Sequence, residues 1–163
     1  MFHFDADLRQ GLIFGTHSGI ITTAGILSGI IQAKVSPLII IVTIVSLAIS
    51  DGLSEAYGLF ISKKVEEPKD KSVGPAKSFL GLLFTKVLVV LSFLIPFLFS
   101  QKLTYFKNMS WPILWSILVL TIIDYYSSKL RKEKLGPYLV KHYLLLAVTV
   151  GLNIFFGKII AGL

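Results

Sequence analysis

Five stretches of the chain, 11–32, 37–62, 78–99, 111–128 and 143–162, each come close to the roughly 20 mostly apolar residues that a helix needs to cross a bilayer. Inside hydrocarbon, backbone N–H and C=O groups find no water, so a lone apolar run of this length reads as a helix bonded within itself. Little chain remains for anything else in 163 residues. Composition agrees: 15% of the residues are charged, against about a quarter in a soluble domain, and the mean hydropathy is +0.78. The expected fold class is all-α and integral to the membrane, with residues 1–163 forming one transmembrane domain. The apolar content excludes a disordered chain, and the lack of cysteine excludes a disulfide framework. Residues 1–10 carry Asp5 and Asp7 against Arg9, so the first span is not expected to be a cleaved signal peptide.

The basic residues are sided. Arg9, Lys63, Lys64, Lys69, Lys71, Lys77, Lys129, Arg131, Lys132, Lys134 and Lys141 fall at one end of the expected spans, and Lys34, Lys102, Lys107 and Lys158 at the other. By the positive-inside bias the N-terminus and the connections around 63–77 and 129–141 are cytoplasmic, and the C-terminus is outside or lumenal. The net charge of +7 is thus explained by topology, without nucleic acid as a partner. The multi-pass protein sits in the plasma membrane if the cell is prokaryotic, with lipids as neighbours. Tyr105, Trp111, Trp115, Tyr125, Tyr126, Tyr138 and Tyr143 read as an interfacial aromatic belt. No Walker, Rossmann, HExxH or GxSxG pattern is present, which argues against ATP-driven transport and against an enzyme of those kinds.

Polar residues within spans are costly, so each is a functional candidate. They concentrate in the first two helices. The first holds Gly11, Gly15 and Gly19 four apart, then Gly25 and Gly29, with His17 and Ser18 in mid-run. Such small residues let a second backbone approach, in the same chain or in a second copy. The second holds Ser46, Ser50, Ser54, Gly58 and Ser62 at strict four-residue spacing, a further packing stripe, with Asp51 and Glu55 beside it. Carboxylates at i and i+4 share a helix face. Two of them in a low dielectric do not both ionise cheaply unless a cation lies between, so the pair is a candidate proton or metal exchange site. Lys86, the single charge within the third span, is the possible charge partner instead. Counting along the helices places His17, Asp51, Glu55 and Lys86 in one layer, with Asp124 nearer the cytoplasmic end as an entrance or proton relay. Asn153 is expected to bond between helices, and Pro96 to kink the third span.

The run Gly15-Thr-His-Ser-Gly19-Ile-Ile-Thr-Thr23, followed after a short turn by Ala48-Ile-Ser-Asp-Gly-Leu-Ser54-Glu-Ala-Tyr-Gly58-Leu-Phe-Ile-Ser62, resembles the first two helices of the vacuolar iron transporter family. That resemblance implies five transmembrane helices, a homodimer packed through the glycines of span one, and exchange of Fe²⁺ or Mn²⁺ for protons out of the cytosol. The cation is cargo, and no cofactor is held permanently. The family's helix-one aspartate falls on Ser18, preceded here by His17; its helix-two methionine falls on Glu55; and the acidic residue of its G-E-Y falls on Leu59. A connection at 63–77 stands where the family has a large helical insert. The expected metal set is Asp51, Glu55 and His17, read from the residues themselves, with Ser18 at the family's aspartate position, and Gly15, Gly19, Gly25, Gly29, Ser54 and Gly58 pack the helices. Nitrogen and oxygen ligands without thiolate suit Mn²⁺, Fe²⁺ or Zn²⁺. The expected function is a secondary divalent-metal transporter working by proton antiport. The alternative is a non-transporting membrane scaffold in which Lys86 pairs with Glu55 or Asp51. A third reading makes His17 and the two acids acid–base groups of an intramembrane enzyme.

Overall fold

The computed structural model describes residues 5–66, 73–95 and 110–162. Lys69, Lys71, Pro96, Lys102, Tyr105 and Lys107, which figure in the expectations above, lie outside them.

The first helix begins where Asp5 can cap it, its Oδ1 accepting the Asp7 N–H at 3.2 Å. Asp5 also meets Lys77, and Asp7 meets Lys63. The hydrogen bond from Lys77, then that from the Asp7 N–H, holds the Asp5 carboxyl below its ordinary range. From this cap α1 runs over Ala6–Gln32. Ser36 caps α2, with Pro37 in its first turn where no N–H is needed. This second helix is continuous over Pro37–Glu66 but contains a π-helical turn at Leu47–Asp51. Then come α3 (Val73–Ser92), α4 (Ser110–Arg131) and α5 (Leu135–Ala161). All five are long and apolar enough to span a membrane, and no strand occurs among the described residues. The protein is an all-α, multi-pass membrane protein.

The helices outrun the apolar stretches that announce them. Lys63–Glu66 belong to α2 and Val73–Lys77 to α3, so the connection is shorter than 63–77. Residues 129–131 extend α4, and α5 starts eight residues before Tyr143. A hydropathy reading stops at the first charges, whereas backbone hydrogen bonding carries the helix on past them.

The π turn explains the strict four-residue pattern of α2. An α-helix repeats every 3.6 residues, so a line of every fourth residue drifts by about 40° per step. Widening one turn takes up that drift. Ile40, Ile44, Ala48, Gly52 and Ala56 consequently stay buried as one line. Ser46, Ser50, Ser54, Gly58 and Ser62 stay exposed as another. Ser54 and Gly58 therefore do not pack helices within the chain, and nothing lies within 4 Å of a Cβ built on Gly58.

Helix α1 is the central element, packed against α3, α4 and α5. Its glycines are used inside the chain. A Cβ on Gly15 would lie 2.5 Å from the Leu82 carbonyl of α3, and one on Gly11 would overlap the Ser78 carbonyl. Gly25 and Gly29 face Asn153 of α5. The expected dimer seam through span one is thus taken by α3 and α5. Asn153, expected to bond across helices, donates to Thr149 O at 2.9 Å on its own helix and packs on those glycines. Two belt residues also bond between helices: Trp115 Nε1 donates to Ser92 Oγ at 2.8 Å, and Tyr143 Oη lies 2.5 Å from Thr121 Oγ1. An apolar core of Ile20, Ala24, Leu27, Ile44, Val90, Phe93, Leu120 and Val150 fills the half away from the basic end. The polar residues gather in the other half.

A Cβ on Gly157 would overlap the Gly29 carbonyl, a backbone atom that cannot rotate aside. Gly157→Ala is expected to part α1 from α5 and destabilise the protein by about 1–3 kcal/mol. Gly58→Ala meets nothing and should be neutral or stabilise by up to about 1 kcal/mol through helix propensity. Thermal unfolding of the two variants in detergent checks the contrast, and equal Tm values would contradict this packing.

Candidate metal centre

His17 and Ser18 are neighbours on the central helix, so their side chains leave it about 100° apart. Each joins a different polar cluster. The four residues expected in one layer therefore divide: His17 turns towards α4 and α5, while Ser18, Asp51, Glu55 and Lys86 meet between α1, α2 and α3.

In the second group, Lys86 Nζ lies 2.6 Å from Asp51 Oδ2 and 2.6 Å from Glu55 Oε2. Ser18 donates to the same Glu55 oxygen at 2.7 Å. The contact of Lys86 is ionic, because neither its ammonium nor Asp51 Oδ2 meets a partner along a hydrogen-bond axis. The Lys86 side chain is fully buried, and its stem runs past Gly19, where a Cβ would stand 3.3 Å from Cγ. Gly19 makes room for this lysine. The ammonium holds the place between the two carboxylates where the sequence reading put a metal ion.

The other group is centred on Asp124, whose side chain is fully buried. His17 Nε2 lies 2.7 Å from Asp124 Oδ1, and His142 Nδ1 lies 2.8 Å from Oδ1 and 2.9 Å from Oδ2. The imidazole centroids are 4.4 Å apart, and Tyr138 packs edge-on against His142 at 5.1 Å. One ligand atom from each of the three residues lies within 4.8 Å of the others. Two imidazoles and one carboxylate form a donor set suited to Zn²⁺, Fe²⁺ or Mn²⁺. Asp124, expected as an entrance or proton relay, thus stands in the middle of a cluster. His142 escapes a reading by spans because the apolar stretch of span five starts at Tyr143. The signal was its rarity, for the chain has only 3 histidines.

Hydrogen-bond parity makes this cluster unusual. His17 Nδ1 lies 2.8 Å from the Ile13 carbonyl oxygen, which can only accept, so Nδ1 carries the proton. In a neutral imidazole Nε2 is then a bare lone pair, yet it faces a carboxylate oxygen at 2.7 Å. Two lone pairs do not bind each other. One further positive charge belongs between these atoms, and either a proton or a metal ion supplies it.

A cavity of about 560 Å³ opens from the basic end onto this cluster. Arg9, Gln10, Arg131 and Tyr138 line it, with His17 and His142 on its inner wall. Fold and site together define a helical membrane protein with a histidine–aspartate–histidine group reachable from one face. Comparison with protein-family models, characterised proteins and solved structures gives no match, so the site is read from its own geometry.

Proposed function

We propose that the protein is a secondary transporter that moves a divalent metal ion, Fe²⁺ or Mn²⁺, out of the cytosol in exchange for protons, and that the ion is held by His17, Asp124 and His142. The observation that carries this reading is the gap in parity between His17 Nε2 and Asp124 Oδ1, filled by one proton or by one metal ion. A position that takes either cation, but not both, is the elementary requirement of antiport. Access supports it, because the cavity leads from the end that the charge bias assigns to the cytoplasm. On binding, the ion would take the Nε2 lone pair and release the proton. His142 keeps a neutral imidazole by moving its proton from Nδ1 to Nε2.

The scaffold reading has one observation in its favour: Lys86 does pair with both Asp51 and Glu55. The readings part on flux. Fe²⁺ (anoxic) or Mn²⁺ uptake into proteoliposomes with an acidic lumen should follow the pH gradient and fall at least tenfold in His142→Ala. A folded, inserted protein that carries no metal, or equal flux in His142→Ala, would sink the transport proposal.

A further inference from the structure

Cations at the mouth of the cavity outnumber the acids available to them. Arg9, in the first turn of α1, has no carboxylate partner among the described residues; its nearest acids in sequence, Asp5 and Asp7, are bound by Lys77 and Lys63. Arg131, the last residue of α4, gives its Nε–H to Glu133, at 2.9 Å, and also interacts with Tyr138. Both arginines line the cavity, and no aspartate or glutamate among the described residues does. Below them the wall turns apolar through Ile13, Phe14 and Leu130. Phe14 is 48% exposed and Leu130 44%, so this apolar surface reaches the outside of the bundle, where acyl chains lie.

We infer that the cavity binds an anionic phospholipid, its phosphate held by Arg9 and Arg131 and its acyl chains laid along Phe14 and Leu130. Three features fit an anionic phospholipid, the last two better than a free ion. Guanidinium groups bind phosphate oxygens through paired N–H donors. Both arginines sit at helix ends, the depth of the headgroups, and basic pockets between helices at that depth are where anionic headgroups bind. The apolar wall continues inward from the charged rim and outward to lipid, which a soluble anion would not use. The bound phosphate also removes an obstacle, since two arginines compensated by Glu133 alone among the described residues repel a divalent cation approaching His17 and His142. The inference does not require that metal be transported, and its test contains no metal.

The test uses the full chain in phosphatidylcholine nanodiscs with EDTA, adding phosphatidylglycerol in steps, and reads Tm and the lipids retained in native mass spectrometry. Phosphatidylglycerol should raise Tm and leave at least one bound molecule, and more phosphatidylcholine should do neither. Arg9→Gln with Arg131→Gln should raise the half-saturating phosphatidylglycerol fraction about tenfold while keeping the wild-type Tm in phosphatidylcholine alone, which shows that it folds. Arg9→Lys with Arg131→Lys should recover much of the response, and Lys129→Gln, a cation of the same helix end outside the cavity, should leave it intact. Equal responses to the two lipids, or an undiminished response in the glutamine pair, would overturn the inference. Stabilisation by inorganic phosphate without any response to phosphatidylglycerol would also overturn it, by assigning the arginines to a soluble anion.

Discussion

Lys86→Met is expected to destabilise the protein by about 3–5 kcal/mol, the usual consequence of removing one partner from a buried ion pair. The ammonium lies 2.6 Å from each of two carboxylates, and its side chain is fully buried. Without it Asp51 and Glu55 face each other with only the Ser18 hydroxyl as a donor. The effect should come from the orphaned charge and not from the lost stem, because methionine fills nearly the same space beside Gly19. Adding Asp51→Asn and Glu55→Gln to Lys86→Met should therefore recover most of the loss, as neutral replacement of a whole buried ionic group often does. Thermal unfolding in detergent reads both variants. A triple variant as unstable as the single one would show that Lys86 acts through packing, and an unchanged single variant would show that no ionic lock exists.

The two clusters were legible to different degrees, for physical reasons. Asp51 and Glu55 stand four apart on one helix, so helix geometry alone brings them together. Lys86 follows as the single charge within the third span, and the observed triad matches that reasoning. The strict four-residue lines of α2 also carried the π turn, since no straight α-helix keeps such a line buried, although the same spacing looked like a packing stripe. The histidine cluster was not legible in this way. Its members come from α1, α4 and α5, and the direction in which His17 points depends on how α1 is rotated against four neighbours. The depth count set Asp124 apart from His17, and His142 lay outside every apolar stretch, because helices α4 and α5 continue past those stretches. The glycines of α1 announced close packing correctly, but a stripe of small residues does not say whether the backbone that approaches belongs to the same chain.

Asp124→Asn should separate the metal site from the fold. An asparagine can place its amide nitrogen against His17 Nε2 and its carbonyl oxygen against His142 Nδ1, which leaves both imidazoles neutral. The variant is thus expected to unfold within a few degrees of the native protein while losing its response to metal. In the native protein, Mn²⁺ at 100 times its Kd should stabilise the fold by about 2.7 kcal/mol, because it binds only the folded state. The variant should show less than a tenth of that response, an amide being a poor substitute for the one anionic ligand. The parity argument also fixes the stoichiometry. If one proton bridges His17 and Asp124 when no metal is bound, each ion should release about one proton to the buffer, and apparent affinity should weaken about tenfold for each unit by which pH falls. Calorimetry in buffers of different ionisation enthalpy measures that number. Metal binding with no proton release would mean that Nε2 faces Asp124 bare, which a 2.7 Å contact between two acceptors does not allow; binding that persists in Asp124→Asn would move the ion elsewhere, with the pair of carboxylates held by Lys86 as the next place to look.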